Sequence, residues 1–299
     1  MSADQENISE KNAEKPLAPG LYLVATPIGN LEDITLRALR ILRSVDRIAC
    51  EDTRQTQKLL NHFEIRTPTV SYHMHNEGSR SEELVAELKL GARIAIVSDA
   101  GTPGIADPGG QIANAAIAAG IDVFPVPGAN AALSGLIASG LPTEQFTFHG
   151  FLPAKAGQRK TALEELPRGD GTHLFYEAPH RILDTLADVE AVFGPAQHIV
   201  IARELTKLHE EFLRGAVSEL RTQLAARPSI RGEIVLMLAP SLAENENAAQ
   251  RVSIAVEVAA LSKAAGISEM DALKRVARDR GMGKSDAYRE LQREQNRLR

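Results

Sequence analysis

The stretch IAIVSDAGTPGIADPGG, residues 94–110, decides the fold class. An apolar run that reads as a β-strand leads into a loop of glycine, proline and small residues, and the Ala-rich helical stretch QIANAAIAAG follows at 111–120. Strand, small-residue loop and helix in that order are the signature of an α/β sheet, whose ligands collect in the crevice beyond the strand carboxyl ends. Residues without bulky side chains let backbone amides and carbonyls approach a ligand there. Two further loops have the same character: VATPIGNL at 24–31, after the apolar run LYLVAT (21–26), and PVPGANAAL at 125–133, around the run VFPV (123–126). RIAC at 47–50 reads as another strand, and Ile34, Leu36, Leu39, Ile41, Leu42 and Val45 recur at helical spacing. If the sheet is wound in parallel, the three loops wall one pocket. None of them carries the glycine pattern of a dinucleotide site or the lysine-containing phosphate loop, which disfavours a dinucleotide or nucleoside triphosphate.

Four regions follow: a polar tail at 1–19, read as disordered; an α/β domain at 20–141; a second α/β domain at 142–240; and a linker with a small basic helical region at 241–299. The segment LPTEQFTFHGFLPAK, 141–155, interrupts the pattern with two prolines and a glycine and marks the junction. Beyond it THLFYE, HIVIAR and GEIVLML read as strands, and the polar mixture EEFLRG implies a mixed or partly antiparallel second sheet. After Pro240 the polar run SLAENENAAQR precedes helical spacing at Ile254, Val258 and Leu261, then at Met270, Leu273, Val276 and Ala277. From residue 251 onward eleven Lys or Arg face seven Asp or Glu, about +4 on a chain whose net charge is −5. That charge reads as a solvated face or as an aid to binding RNA.

The overall acidity, with a pI near 6.0, argues against coating nucleic acid through bulk charge. Aromatic residues at 4%, with no Trp, argue against a surface that stacks single-stranded bases. No run approaches the roughly 20 apolar residues of a membrane span, and no secretory signal is expected. A lone cysteine, Cys50, offers neither an intramolecular disulfide nor a metal cluster and fits a reducing cytoplasm.

The ordered segments TPIGNLEDIT, EDTR with the following KLL, HNE, SDAGTPGIADPG, FLPAK, ARELTKLHEE and GEIVL, spread from about Gly20 to Ala239, closely resemble the tetrapyrrole methylase superfamily. Among its branches the resemblance is to the one that methylates bacterial small-subunit ribosomal RNA. It implies two α/β domains with an S-adenosylmethionine cleft between them, a homodimer, and methyl transfer to the 2′-oxygen of a cytidine in the decoding centre of 16S rRNA within the 30S subunit. By position, it places Ala100, Gly101, Thr102, Ile105 and Ala106 around the methionine part of the cofactor, with Asn130, Ala131 and Pro27 nearby. Tyr176, Glu177, Ala202 and Arg203 fall where the family's strands meet the adenosine. The first loop departs from tetrapyrrole-modifying relatives, which carry extra glycines where TPIGN stands.

Methylating a hydroxyl requires a group that removes its proton as the oxygen attacks; it requires no metal. Candidate acceptors are Glu51 and Asp52 in EDTR, and His75 and Glu77, which flank Asn76. His75 reads equally as a structural hydrogen-bonding residue. Arg54, Asn76, Lys155 and Arg159 border these motifs and are the expected RNA contacts, although charged loops also serve solvation alone. Arg203, Glu204 and Glu210 read alternatively as an ion-pair network joining strands. Competing functions are methylation of a tetrapyrrole precursor on the same fold, and a nonenzymatic ribosome-assembly factor that keeps the pocket as a structural element.

Overall fold

Residues 94–97 of the decisive stretch are buried on both sides of a sheet, which is why they read as a continuous apolar run. The computed structural model of the chain describes residues 16–167, 169, 171–240, 254–279, 287–288 and 291. The expected polar tail up to residue 15 and the polar run at 241–253 lie outside the described residues. In the first sheet the strands are β1 (Gly20–Val24), β2 (Arg47–Cys50), β3 (Thr69–Ser71), β4 (Arg93–Val97) and β5 (Val123–Val126). Their order is β3-β2-β4-β1-β5 and all pairings are parallel.

Alternation distributes the side chains to two cores. Tyr22, Val24, Ile48, Ala95 and Val97 face one side, where α1 (Leu36–Ser44) contributes Ile41 and Leu42 and α2 (Thr53–His62) contributes Leu60. Leu21, Ala49, Ile94 and Ile96 face the other, against α3 (Glu77–Lys89) and α4 (Gly110–Ala118) through Leu84, Leu88, Ile112 and Ala116. Thr35 and Asp52 start α1 and α2 by accepting backbone N–H groups of Ala38 and Arg54.

The second sheet holds β6 (Phe146–Phe151), β7 (Thr172–Glu177), β8 (His198–Arg203), β9 (Glu211–Ala216) and β10 (Ile234–Leu238), in the order β6-β7-β10-β8-β9. Central β10 is antiparallel to β7 and β8, β9 is antiparallel to β8, and only β6 runs parallel to its neighbour. The sheet is mixed, as its polar edge segment implied. FTFHGF was expected inside an irregular junction and is instead β6: the prolines at 142 and 153 flank it rather than interrupt it. Its glycine falls where the register shifts between Phe148 and Phe151.

One face of this sheet is covered by α5 (Ala131–Ser139), whose Ala132 and Leu136 pack with Leu174, Val200, Val235 and Met237. Asn130 starts α5, and Arg214 of β9 donates to the last-turn carbonyls of Ser139 at 2.9 Å and Ala138 at 2.7 Å. The opposite face carries α6 (Ala156–Glu164), α7 (Ile182–Phe193) and α8 (Val217–Ala225), with Leu163, Leu186, Val189 and Leu224 around Phe175 and Leu236.

The chain divides into two compact units, Met1–Pro240 and Ser241–Arg299. Within the second, α9 (Ile254–Ala265) and α10 (Glu269–Asp279) share a core of Ile254, Val258, Leu273, Val276 and Ala277, with Ala287 and Leu291 added and Leu261 at its margin. Met270, grouped with these by spacing, is 52% exposed.

Arg159 requires a correction. It was expected to meet RNA phosphates, but it is only 4% exposed, and its Nε donates to Asp188 of α7 at 2.6 Å while Nη1 donates to the Ala154 carbonyl. Its charge joins α6 to α7. Removing Arg159 leaves the buried Asp188 carboxylate only the longer contact with the half-exposed Lys160, at 3.6 Å, whereas replacing both Arg159 and Asp188 with apolar groups avoids that penalty. Arg159→Met should therefore lower the unfolding free energy by about 3 kcal/mol, and Arg159→Met with Asp188→Leu should recover most of the loss. Guanidinium chloride unfolding followed by circular dichroism checks this; a single variant as stable as the parent contradicts it.

Candidate active site

Strand order brings the three small-residue loops together, because β4, β1 and β5, which they follow, are adjacent. Thr26 and Gly101 exchange backbone hydrogen bonds at 2.9 and 3.1 Å, stitching the first loop to the second. Thr102 joins the second to the third: its hydroxyl donates to the Ala129 carbonyl at 3.2 Å and accepts from the Asn130 amide at 3.4 Å. Gly101 has φ +85°, and a Cβ there would stand 3.3 Å from Ile28. A side chain would thus be strained and would crowd the loop.

These loops form one wall of a cleft of about 410 Å³. Ala100, Gly101, Thr102, Ile105, Ala106 and Ala131 line it, and Glu51 enters from the end of β2. The second sheet supplies Tyr176 and Glu177 at the end of β7, with Ala178 and Pro179 after them. Glu233, Ile234 and Val235 of the β10 region and Leu205 complete that side. The Glu177 carboxylate is already engaged, accepting from Thr185 at 2.6 Å and from the Ala178 N–H at 2.8 Å, with Arg181 at 3.3 Å.

Other expected residues stand back from the cleft. Pro27 and Asn130 belong to its loops without lining it; Asn130 caps α5. Ala202 is wholly buried in the core between β8 and α5. Arg203 is committed to Glu211 at 3.1 Å and to the Arg231 carbonyl at 3.0 Å, so the expected strand-joining ion pair exists with Glu211 in place of Glu210. Arg227 also grips Glu211, and the two guanidinium groups hold its carboxyl down to about 2.

Of the four proposed proton acceptors, the structure brings only Glu51 to the cleft. Asp52 caps α2 and pairs with Arg54 at 3.1 Å, which holds its carboxyl below the usual range. Glu77 accepts from Tyr72 at 2.9 Å and from the Gly109 N–H at 3.2 Å, and His75 is exposed beside His73. Asn76 folds onto its own turn, accepting from the His73 N–H and donating to the Ser71 carbonyl. Arg54 and Lys155 keep exposed side chains.

Sequence reasoning missed three cleft carboxylates, Glu233 and, within the second small-residue loop, Asp99 and Asp107. Asp99 and Asp107 sit inside the loop already identified, where a carboxylate in a ligand loop was the available signal. Burial, with Glu51 and Asp99 close by, raises the Asp107 carboxyl to about 6, and burial with Asp99 nearby also pushes Glu51 up. No Lys, Arg or His is among the described residues that line the cleft. Such a cavity favours a ligand that carries positive charge, and a carboxyl that ionises near pH 6 can accept a proton at neutral pH. Among the described residues, no group of three or more His, Cys, Asp or Glu is arranged to hold a metal ion.

Comparisons with known proteins show the family and the fold. Residues 20–221 match the family of tetrapyrrole (corrin/porphyrin) methylases. Over 270 residues the chain is 50% identical to ribosomal RNA small subunit methyltransferase I of Halalkalibacterium halodurans, covering 90% of this chain and 93% of that one. The protein of the same name from Bacillus subtilis is 45% identical over 271 residues, covering 90% and 92%. Among solved structures, uroporphyrin-III-C-methyltransferase from Thermus thermophilus superposes with a TM-score of 0.53 at 22% identity, over 77% of this chain and 98% of that one. Diphthine synthase gives 0.55 at 15%, over 73% and 89%; these two likenesses concern the fold. The chain belongs to the tetrapyrrole (corrin/porphyrin) methylases and, within them, to the group of the ribosomal RNA small subunit methyltransferases I.

Proposed function

We propose that this protein methylates small-subunit ribosomal RNA in the cytoplasm with S-adenosylmethionine, and that the acceptor is the 2′-hydroxyl of a decoding-centre cytidine, presented in the 30S subunit to a homodimer. The observation that carries the reading is the acidic cleft between the two sheets, in a chain half identical to a protein named for RNA methylation. The cofactor fits the donor set: a sulfonium and an ammonium group are cations, and Glu177 and Glu233 are ion-paired with Arg181 and Lys207, whereas Glu51, Asp99 and Asp107 form no ion pair among the described residues.

The residues divide the work. Gly101 and the segment from Ala100 to Ala106 would hold the methionine part against backbone and small side chains, while Tyr176 to Pro179 would border the adenosine. When bound, S-adenosylmethionine supplies an electrophilic methyl group. Glu51 and its neighbouring carboxylates, which line the same cleft, would take up the hydroxyl proton. Arg54 and Lys155, exposed near these elements, are assigned to phosphates, and the basic unit after residue 240 to capture of RNA. With few aromatic residues in the chain, recognition of a preformed RNA shape is favoured over stacking on splayed bases.

Two outcomes are expected. Gly101→Val should abolish S-adenosylmethionine binding in calorimetry while circular dichroism stays unchanged, since even a Cβ at this position crowds Ile28; retained affinity would remove this loop from the cofactor site. Labelled methyl offered with 30S subunits or with free 16S RNA should appear on a cytidine ribose and preferentially in the 30S particle. Label on a base, or on neither substrate, would contradict the reading.

A further inference from the structure

Among the described residues, five acidic side chains line the cleft, and their partners separate them. Glu177 is engaged by Thr185, the Ala178 N–H and Arg181, and Glu233 pairs with Lys207 at 3.0 Å. Asp99 accepts the backbone N–H of Asp52 at 3.1 Å, which ties it to the wall between β2 and β4. Glu51 and Asp107 remain, and the structure treats them differently.

Asp107 is held by its backbone from both sides. The preceding residue, Ala106, has φ +60°, a left-handed conformation that costs a non-glycine residue about 1 kcal/mol or more. The following residue, Pro108, is buried, and its carbonyl accepts from the Gly104 N–H at 3.1 Å. The next N–H, of Gly109, donates to Glu77, which in turn accepts from the Tyr72 hydroxyl, itself 2.9 Å away and within 3.1 Å of Ser81. Glu77 and Tyr72 thus act on the loop, not on a ligand. Strain on one side and this relay on the other keep the side chain between them in the cleft.

We propose that Asp107 is the group that takes the proton from the acceptor hydroxyl, an assignment that rests on the methyltransferase reading above. The oxygen–hydrogen bond breaks with its proton passing to the Asp107 carboxylate. The oxygen pair forms the new bond to the methyl carbon, and the carbon–sulfur pair stays on sulfur, which becomes a neutral thioether. Loss of that positive charge raises the proton affinity of the surrounding carboxylates, so proton uptake is favoured as transfer proceeds. The groups bearing on Asp107 are Glu51 after β2, Asp99 and the Ser98 hydroxyl after β4, and Tyr176 at the end of β7; His73 bears on Glu51. In the cofactor-free protein, burial and the neighbouring negative charges hold a proton on Asp107 up to about pH 6; the bound sulfonium moves that value down, so the basic form, and with it turnover, grows as pH rises through a value no higher than this.

The test compares Asp107→Asn, Asp107→Glu and Glu51→Gln with the parent, as full-length chains. Single-turnover methylation of 30S subunits is followed from pH 5 to 8, S-adenosylmethionine affinity is measured by calorimetry, and the Asp107 carboxyl is titrated by carbon NMR in the protein without cofactor. Expected are a cofactor-free Asp107 carboxyl that titrates near 6, a parental rate that rises with pH through a value no higher than that, a loss of about 100-fold or more in Asp107→Asn with that rise abolished, and cofactor affinity within about tenfold of the parent. Asp107→Glu should keep a pH-dependent rate, and Glu51→Gln should keep the rise. An Asp107 carboxyl that titrates at the ordinary value, or an Asp107→Asn variant with the parental rate and pH profile, overturns the assignment alone. A parent that labels no small-subunit RNA overturns the functional reading and this assignment with it.

Discussion

The structure depends on the seating of α5 and the first loop upon the second sheet. Ile28, Ala132 and Leu136 bury themselves against Leu174, Val200, Leu205, Val235 and Met237, an apolar contact that sets the two sheets facing one cavity. Gly29 makes the approach possible: a Cβ there would lie 2.5 Å from the Lys207 side chain and 3.0 Å from the Leu205 carbonyl. The turn it meets bends through positive φ at Glu204 and Thr206 and is braced by Lys207 between Glu204 and Glu233. Glu233 therefore serves the joint as well as the rim of the cleft.

Charge follows from this geometry. Parallel winding places Glu51 and Asp99 at the carboxyl ends of the neighbouring strands β2 and β4, and the long loop returns Asp107 to the same place. Without a second half across from them these carboxylates would stand in open water and repel weakly; a partly closed cleft strengthens every charge within it. A cationic cofactor relieves the repulsion and its product does not, so the same carboxylates favour binding of the donor over its neutral thioether.

Much of the fold was legible because its strands are short apolar runs bounded by turn residues. RIAC, VFPV, THLFYE and HIVIAR coincide with β2, β5, β7 and β8. β3 was not anticipated, since three partly exposed residues at a sheet edge leave no apolar run, and β6 was hidden by prolines that only flank it. The small-residue wall of the site was legible for a related reason: a loop that must admit a ligand cannot hide its glycines and alanines. Roles set by distant partners were not. Arg159 looked like a free loop cation until α7 brought Asp188 to it, and Ala202 looked like a wall residue until alternation turned it into the core. Asp107 drew no notice among glycines and prolines because its chemistry is made by Glu51 and Asp99 from other parts of the chain.

A crystal structure with S-adenosylhomocysteine, the neutral product of methyl donation, tests most directly whether the space between the two sheets is the cofactor site. The ligand should lie with its amino-acid portion beside residues 100–106 and its adenosine beside Tyr176 to Pro179, with Asp107 facing the sulfur. Electron density for the ligand anywhere outside this cleft would contradict the assignment.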